Sequence, residues 1–96
     1  MELYFLARFH VRAGTDSDAE AALVDVGPST RGEAGCLEWH GFCSFADPRL
    51  FVVTSVWRDQ SDFDAHADLP HTRRFIKAMT AIVDSEPEFV RGQAII

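Results

Sequence analysis

No basic run in this sequence is longer than the pair Arg73–Arg74, and the formal net charge is -6. The electrostatic footprint of a nucleic-acid binder is missing, so DNA and RNA are not expected as partners. No apolar stretch approaches the ~20 residues that span a bilayer. The opening MELYFLARFH has neither a basic n-region nor a cleavage site, so a cytoplasmic protein with no membrane partner is expected. No glycine-rich phosphate loop follows any strand, which argues against a nucleotide or flavin enzyme. The four histidines form no HExxH pattern and no CxxC is present, so no metal is expected. Only two cysteines occur, Cys36 and Cys43, seven positions apart in one predicted strand. Odd spacing points them to opposite faces, which predicts two reduced thiols and no internal disulfide. Neither carries a cue for nucleophilic activation. Internal repeats, low-complexity tracts and linkers are also missing.

What is present is a 96-residue chain, 47% hydrophobic and 25% charged. That composition predicts one domain over residues 1–96, burying roughly 60–70% of its unfolded surface. A core so small is marginal alone, and an exposed apolar sheet face favours self-association.

From Leu3 to Val11 the set Leu3, Phe5, Ala7, Phe9, Val11 alternates with Tyr4, Leu6, Arg8, His10, the period of a strand with unlike faces. Ala13–Gly14 turns the chain, and Thr15 or Asp16 caps a helix in which Ala19, Ala22, Leu23 and Val26 recur at helical spacing. Gly27–Pro28 should kink or interrupt it, with a last turn from Ser29 to Glu33 possible. Cys36–Phe45 and Leu50–Trp57 read as strands joined by the turn Ala46–Arg49. If those four residues form the loop, Phe45 faces Leu50, His40 pairs with Ser55, and Glu38 pairs with Trp57. Glu38, His40, Ser55 and Trp57 then share one face, unless a one-residue slip or a bulge intervenes.

Asp59 precedes Asp62 by three residues and can cap a helix starting at Gln60. In it Phe63, His66 and Ala67 share the inward stripe. Pro70 ends that helix and opens the next, the amphipathic run His71–Glu86 with Phe75, Met79, Ile82 and Val83 on one line and His71 upstream of them. Phe89–Ile96 can form a last strand, with Gly92 its weak point. This order predicts an α+β fold, a ferredoxin-like split βαβ antiparallel sheet with helices on one face.

Several residues join these elements into a candidate site. Trp57 can wall a pocket and stack on a flat aromatic, with Phe63 and Phe75 beside it. His66 and His40 are the candidate bases, since only histidine ordinarily titrates near neutral pH. Glu38 could hold either of them by a hydrogen bond. His71 and Arg74 lie near a helix start, where free N–H groups favour anions.

Taken together, Ser29-Thr30-Arg31-x-Glu33-x-Gly35-Cys36-Leu37, the Asp47-Pro48-Arg49 hairpin, Trp57 with His66 nine residues on, and Pro70-His71 leading to Phe75 resemble the antibiotic biosynthesis monooxygenase family. The resemblance covers nearly the whole chain. It implies a dimeric α+β barrel, in which two ferredoxin-like sheets pack face to face in a homodimer. Members of that family include oxygenases that use no metal or flavin on quinols and anthrone-like polycycles, haem-degrading enzymes, an isomerase of a signalling molecule, and proteins without assigned activity. The haem-degrading branch relies on an asparagine in the first strand, whereas this chain has no asparagine and Ala7 stands in that place. The polycyclic-aromatic oxygenases use a tyrosine shortly after the tryptophan and an asparagine before it; Phe63 and Val53, or nearby apolar residues, replace them here. Two expectations follow. One is a cofactor-independent monooxygenase that joins a small electron-rich aromatic (quinol, phenol or anthrone-like) to molecular oxygen, with His66 or His40 as base. The other is a non-catalytic small-molecule-binding dimeric barrel.

Overall fold

The computed structural model describes all 96 residues. Leu3–His10 form β1. Leu3, Ala7 and Phe9 are buried on one side of it, and Val11 continues that stripe beyond the strand end. After Gly14, whose φ of 86° only glycine adopts cheaply, helix α1 spans Asp16–Arg31. Thr15 occupies the N-cap position, but its hydroxyl donates backward to the Arg12 carbonyl at 2.7 Å. The interruption expected at Gly27–Pro28 does not occur. Pro28 removes the N–H that the Val24 carbonyl would accept, and both residues lie on the exposed side of the helix. Water can hydrate the gap, so the helix continues to Arg31.

β2 (Cys36–Cys43) and β3 (Leu50–Trp57) form the hairpin, one residue out of the expected register. Ser44, not Phe45, faces Leu50, donating its N–H to the Leu50 carbonyl at 2.9 Å. The Ser44 hydroxyl accepts from the Ala46 and Asp47 N–H groups at 3.1 and 3.2 Å, which holds a loop one residue longer than the expected Ala46–Arg49. Consequently Trp39 pairs with Ser55, His40 with Thr54 and Glu38 with Val56. The side that faces the helices receives an indole where the shorter loop would have placed a carboxylate and an imidazole, and burying those unpaired is costly. A bulge at Leu37 shifts the register again, so that Cys36 faces Trp57. That extra residue puts Cys36 and Cys43 on the same face rather than on opposite ones; both are free thiols.

Helix α2 spans Gln60–Ala67, with the Asp59 carboxylate accepting the Asp62 N–H at 2.8 Å as the sequence predicts. Helix α3 spans Pro70–Thr80 and stops well before Glu86. The following segment peels away to the end of β1: Val83 bridges Val11, the Arg12 N–H reaches the Ile82 carbonyl at 2.8 Å, and the Asp84 N–H reaches the His10 carbonyl at 2.9 Å. A β-branched pair followed within a few residues by Pro87 favours that exit over another helical turn. β4 is Glu88–Gly92, shorter than the expected Phe89–Ile96 and ending at Gly92.

The four strands form one antiparallel sheet in the order β2-β3-β1-β4. This is the ferredoxin-like α+β fold. Leu23 and Val26 of α1 and Phe75 and Met79 of α3 pack on Ala7, Phe9, Trp39, Phe51 and Val53. Glycines make room for the indole of Trp39: a Cβ on Gly27 or Gly41 would come within 2.9 Å of its ring. The Arg31 guanidinium then fastens α1 to β2 by donating twice to the Trp39 carbonyl, at 3.0 and 2.8 Å. The opposite sheet face has no helix over it and exposes Tyr4, Phe42 and Val90. No helix is long and apolar enough to cross a membrane.

Candidate functional site

The helix-bearing face of the sheet meets α1, α2 and α3 around an apolar cavity of about 160 Å³. Phe5, Ala7, Val53 and Ser55 form its floor; Val26, Thr30, Phe63, His66, Thr72 and Phe75 form its walls. Ala67, Ile76 and Phe89 are exposed members of the same lining and mark its mouth.

His66 enters this wall from the last turn of α2 and is held on three sides. Its ring lies over the indole of Trp57, with centroids 4.4 Å apart and planes inclined by 34°. Phe63, one helical turn earlier, closes on the same indole edge-on at 5.9 Å. Nδ1 of His66 is 2.9 Å from Oε2 of Glu33 and 3.2 Å from Oγ1 of Thr72. Trp57 itself is buried and donates from Nε1 to the Ser55 hydroxyl at 3.0 Å, so every polar atom of that platform is satisfied.

Glu33 lies just past the end of α1, and its Oε2 also accepts from Nε2 of His71, at 2.7 Å. The three side chains are largely shielded, with 14–18% of each exposed. A carboxylate oxygen that accepts from Nδ1 of His66 places the proton there and leaves Nε2 as the basic nitrogen. The structure therefore unites Trp57, Ser55, Phe63, His66, His71 and Phe75, with His71 reaching the cavity only through Glu33 and Trp57 standing behind His66.

His40 and Glu38 do not belong to this group. The register turns both to the helix-free face, where Oε1 of Glu38 and Nε2 of His40 are 3.2 Å apart and more than half exposed. They border a wide, shallow hollow of about 410 Å³ with Tyr4, Leu6, Thr54 and Val90. Glu38 therefore holds His40, and it cannot reach His66 through the sheet. Arg74 is also engaged elsewhere, donating to Asp25 of α1 at 2.9 Å.

Sequence reasoning missed Glu33, Thr72 and Thr30. Glu33 is 33 positions from His66, and its only cue was its place between Arg31 and Gly35 in the stretch that carries the family resemblance. Glu33, His66 and His71 each offer one donor atom within 4.8 Å of the others, a grouping that the absence of HExxH and CxxC motifs did not anticipate. As they stand, the 2.7 and 2.9 Å separations are those of hydrogen bonds. Ligands at about 2.0–2.1 Å from a tetrahedral zinc keep roughly 3.3 Å between them. At Cys36, burial first, then the Glu33 carboxylate, pushes the thiol up from its ordinary value, which disfavours the nucleophilic thiolate.

Residues 3–78 match the family model described as antibiotic biosynthesis monooxygenase. Among solved structures, one of an antibiotic biosynthesis monooxygenase superposes with a TM-score of 0.93 at 22% identity, covering 98% of this chain and 99% of that one. Rv0793 from Mycobacterium tuberculosis gives 0.94 at 20% identity over 100% and 97% of the two chains. SO0527 from Shewanella oneidensis gives 0.85 at 26% identity over 95% and 90%. Those likenesses concern the fold. No curated protein matches the sequence.

Proposed function

Starting from the fact that this chain belongs to the antibiotic biosynthesis monooxygenase family, we propose that it is a cofactor-independent monooxygenase of a small electron-rich aromatic, a phenol or quinol, with His66 as the base. The observation that carries this reading is the fixed imidazole of His66, stacked on Trp57 and tied through Nδ1 to Glu33, in the wall of an apolar cavity.

In this mechanism Nε2 of His66 takes the proton of a substrate hydroxyl, and the imidazolium is stabilised by the Glu33 carboxylate. The apolar walls exclude water from the aryloxide, which keeps it electron-rich. One electron passes to O₂, and the resulting aryloxyl radical and superoxide combine at a ring carbon to form a carbon–oxygen bond. His66 returns its proton to the terminal peroxide oxygen; the C–H bond at the oxygenated carbon then breaks as the O–O bond cleaves, its electron pair forming the carbonyl and its proton leaving with the hydroxide, which gives a quinone and water. For hydroquinone, one O₂ yields hydroxybenzoquinone and one H₂O, and the substrate itself supplies all the reducing equivalents.

The same reading makes the functional unit a homodimer closed over the helix-free sheet face. Exposed Tyr4, Phe42 and Val90 on that face support it, because a small core gains from covering them. Two free thiols are consistent with a cytoplasmic setting. The test is oxygen consumption by chelator-treated protein with a panel of phenols and quinols, beside His66→Ala. Saturable uptake lost in the variant is the expected result. Uptake no faster than in buffer, with ligand-induced thermal stabilisation, would instead identify a non-catalytic binding protein.

A further inference from the structure

We infer that the cavity is built for a single aromatic ring bearing a hydroxyl, which Thr30 binds, and that fused polycycles are excluded. This rests on the reading of the cavity as the substrate site and narrows its substrate class.

Two independent observations carry it. The first is size. The cavity measures about 160 Å³, and an enclosed apolar cavity of roughly 150 Å³ in another protein takes up benzene. A fused three-ring skeleton at interior packing density needs on the order of 250 Å³. The floor cannot yield to make up the difference, because Ala7 and Val53 belong to paired central strands. The walls Phe75 and Val26 belong to the packed core. A polycycle would have to project through the mouth between Ile76 and Phe89, leaving much of its apolar surface in water.

The second observation is Thr30. It is fully buried in the last turn of α1, and its Oγ1 has no hydrogen-bond partner in the protein. A helical threonine ordinarily satisfies its hydroxyl on the carbonyl three or four residues back. Here the side chain forgoes that bond in the wall of the cavity. Buried hydroxyls left without partners are uncommon because they are costly. Oγ1 exposes no surface in this conformation, so a turn of the threonine side chain toward the cavity accompanies binding, and a ligand hydroxyl that then meets Oγ1 removes the cost and orients the ring. A hydroquinone carries a second hydroxyl, and His66 is another member of the same wall.

The experiment is titration calorimetry under argon with phenol, hydroquinone, toluene and anthrone, on the full chain and on Thr30→Val and Thr30→Ser. Phenol and hydroquinone are expected to bind the wild type, and anthrone is not. Thr30→Val should weaken phenol by about tenfold, the worth of one neutral hydrogen bond, while leaving toluene unchanged; Thr30→Ser should retain phenol. If Thr30→Val does not fold, Thr30→Ala against Thr30→Ser gives the same comparison. Anthrone binding as tightly as hydroquinone, no binding of either one-ring phenol, or equal weakening of phenol and toluene would each overturn the inference. Binding under argon needs no oxygen chemistry. Hydroquinone that binds but consumes no O₂ in air leaves this inference standing and removes the oxygenase. Turnover of anthrone without one-ring binding does the reverse.

Discussion

Glu33 and His66, 33 positions apart, meet at 2.9 Å because the end of α1 and the end of α2 converge over the tryptophan side of β3. The carboxylate fixes which nitrogen of the imidazole carries the proton, and so which one can accept another. Glu33→Gln preserves the shape but offers an amide whose NH₂ or oxygen can face the ring. We predict that it lowers kcat, with a smaller effect on KM. His66→Ala should lower kcat by about 10²–10⁴-fold, the usual worth of a positioned base. Oxygen-uptake kinetics for both variants would check this. A Glu33→Gln enzyme with wild-type kcat at every pH would remove the carboxylate from the mechanism.

At the other end of the sheet, His10 joins three separate segments. Its Nδ1 meets Asp84 at 2.7 Å and its Nε2 meets Asp47 at 2.9 Å, with Arg49 also facing Asp84 at 3.9 Å. The hydrogen bond to Asp84, then that to Asp47, raises the His10 pKa above 6.5. Asp84 is lowered mainly by His10, and Asp47 mainly by the Arg49 N–H. The histidine contribution to stability is therefore fully present below the unfolded value of 6.5 and lost as pH rises through the raised folded value. The aspartate contributions are present above 3.8 and lost as pH falls through the lowered folded values. The Tm difference between wild type and His10→Gln should be largest between these limits and shrink as pH rises through the raised folded value. Parallel Tm curves from pH 5 to 9 would contradict this.

Trp39 supplies a packing prediction with a sign opposite to helix propensity. Replacing a mid-helix glycine by alanine ordinarily stabilises by up to ~1 kcal/mol. At Gly27 the new Cβ would come within 2.9 Å of the rigid indole, and overpacking of this kind costs about 1–3 kcal/mol. Gly27→Ala should therefore lower the denaturation midpoint. A higher midpoint would mean that the indole shifts without cost.

The hairpin shows where the sequence was legible and where it was not. Alternation marked β1, β-branched and aromatic composition marked β3, the Asp59 cap placed α2 correctly, and the overall order led to the right fold. Legibility failed wherever one residue of loop length decides a face. The Ser44 hydroxyl lengthens the turn by one residue, and that alone moves Glu38 and His40 away from Ser55 and Trp57 and brings Trp39 inside. The site was half visible for a related reason. Trp57, Phe63 and His66 lie within ten residues of one another and can be read locally, whereas Glu33 and Thr30 arrive through the packing of α1. Pro28 made that part of the helix look broken, since sequence does not say on which side the missing hydrogen bond falls.

Glu33, His66 and His71 also predict how the protein responds to zinc. Each bond from the carboxylate to an imidazole is at hydrogen-bond distance, so a cation must displace both protons and spread the donors to roughly 3.3 Å before it can be ligated. Ligation through Nδ1 of His66, the nitrogen that already faces Glu33, would move the ring proton to Nε2 and so remove the lone pair on which the proposed proton transfer depends. Chelator-treated protein should therefore be fully active, and added Zn²⁺ should inhibit. Because His71 reaches the cavity only through Glu33, His71→Ala should weaken the inhibition while retaining most of the activity. Oxygen uptake with EDTA, with EDTA followed by excess Zn²⁺, and with the variant distinguishes the cases. Activity abolished by EDTA and restored by zinc would show that the three residues hold a working metal, and that the hydrogen-bonded arrangement is its metal-free form.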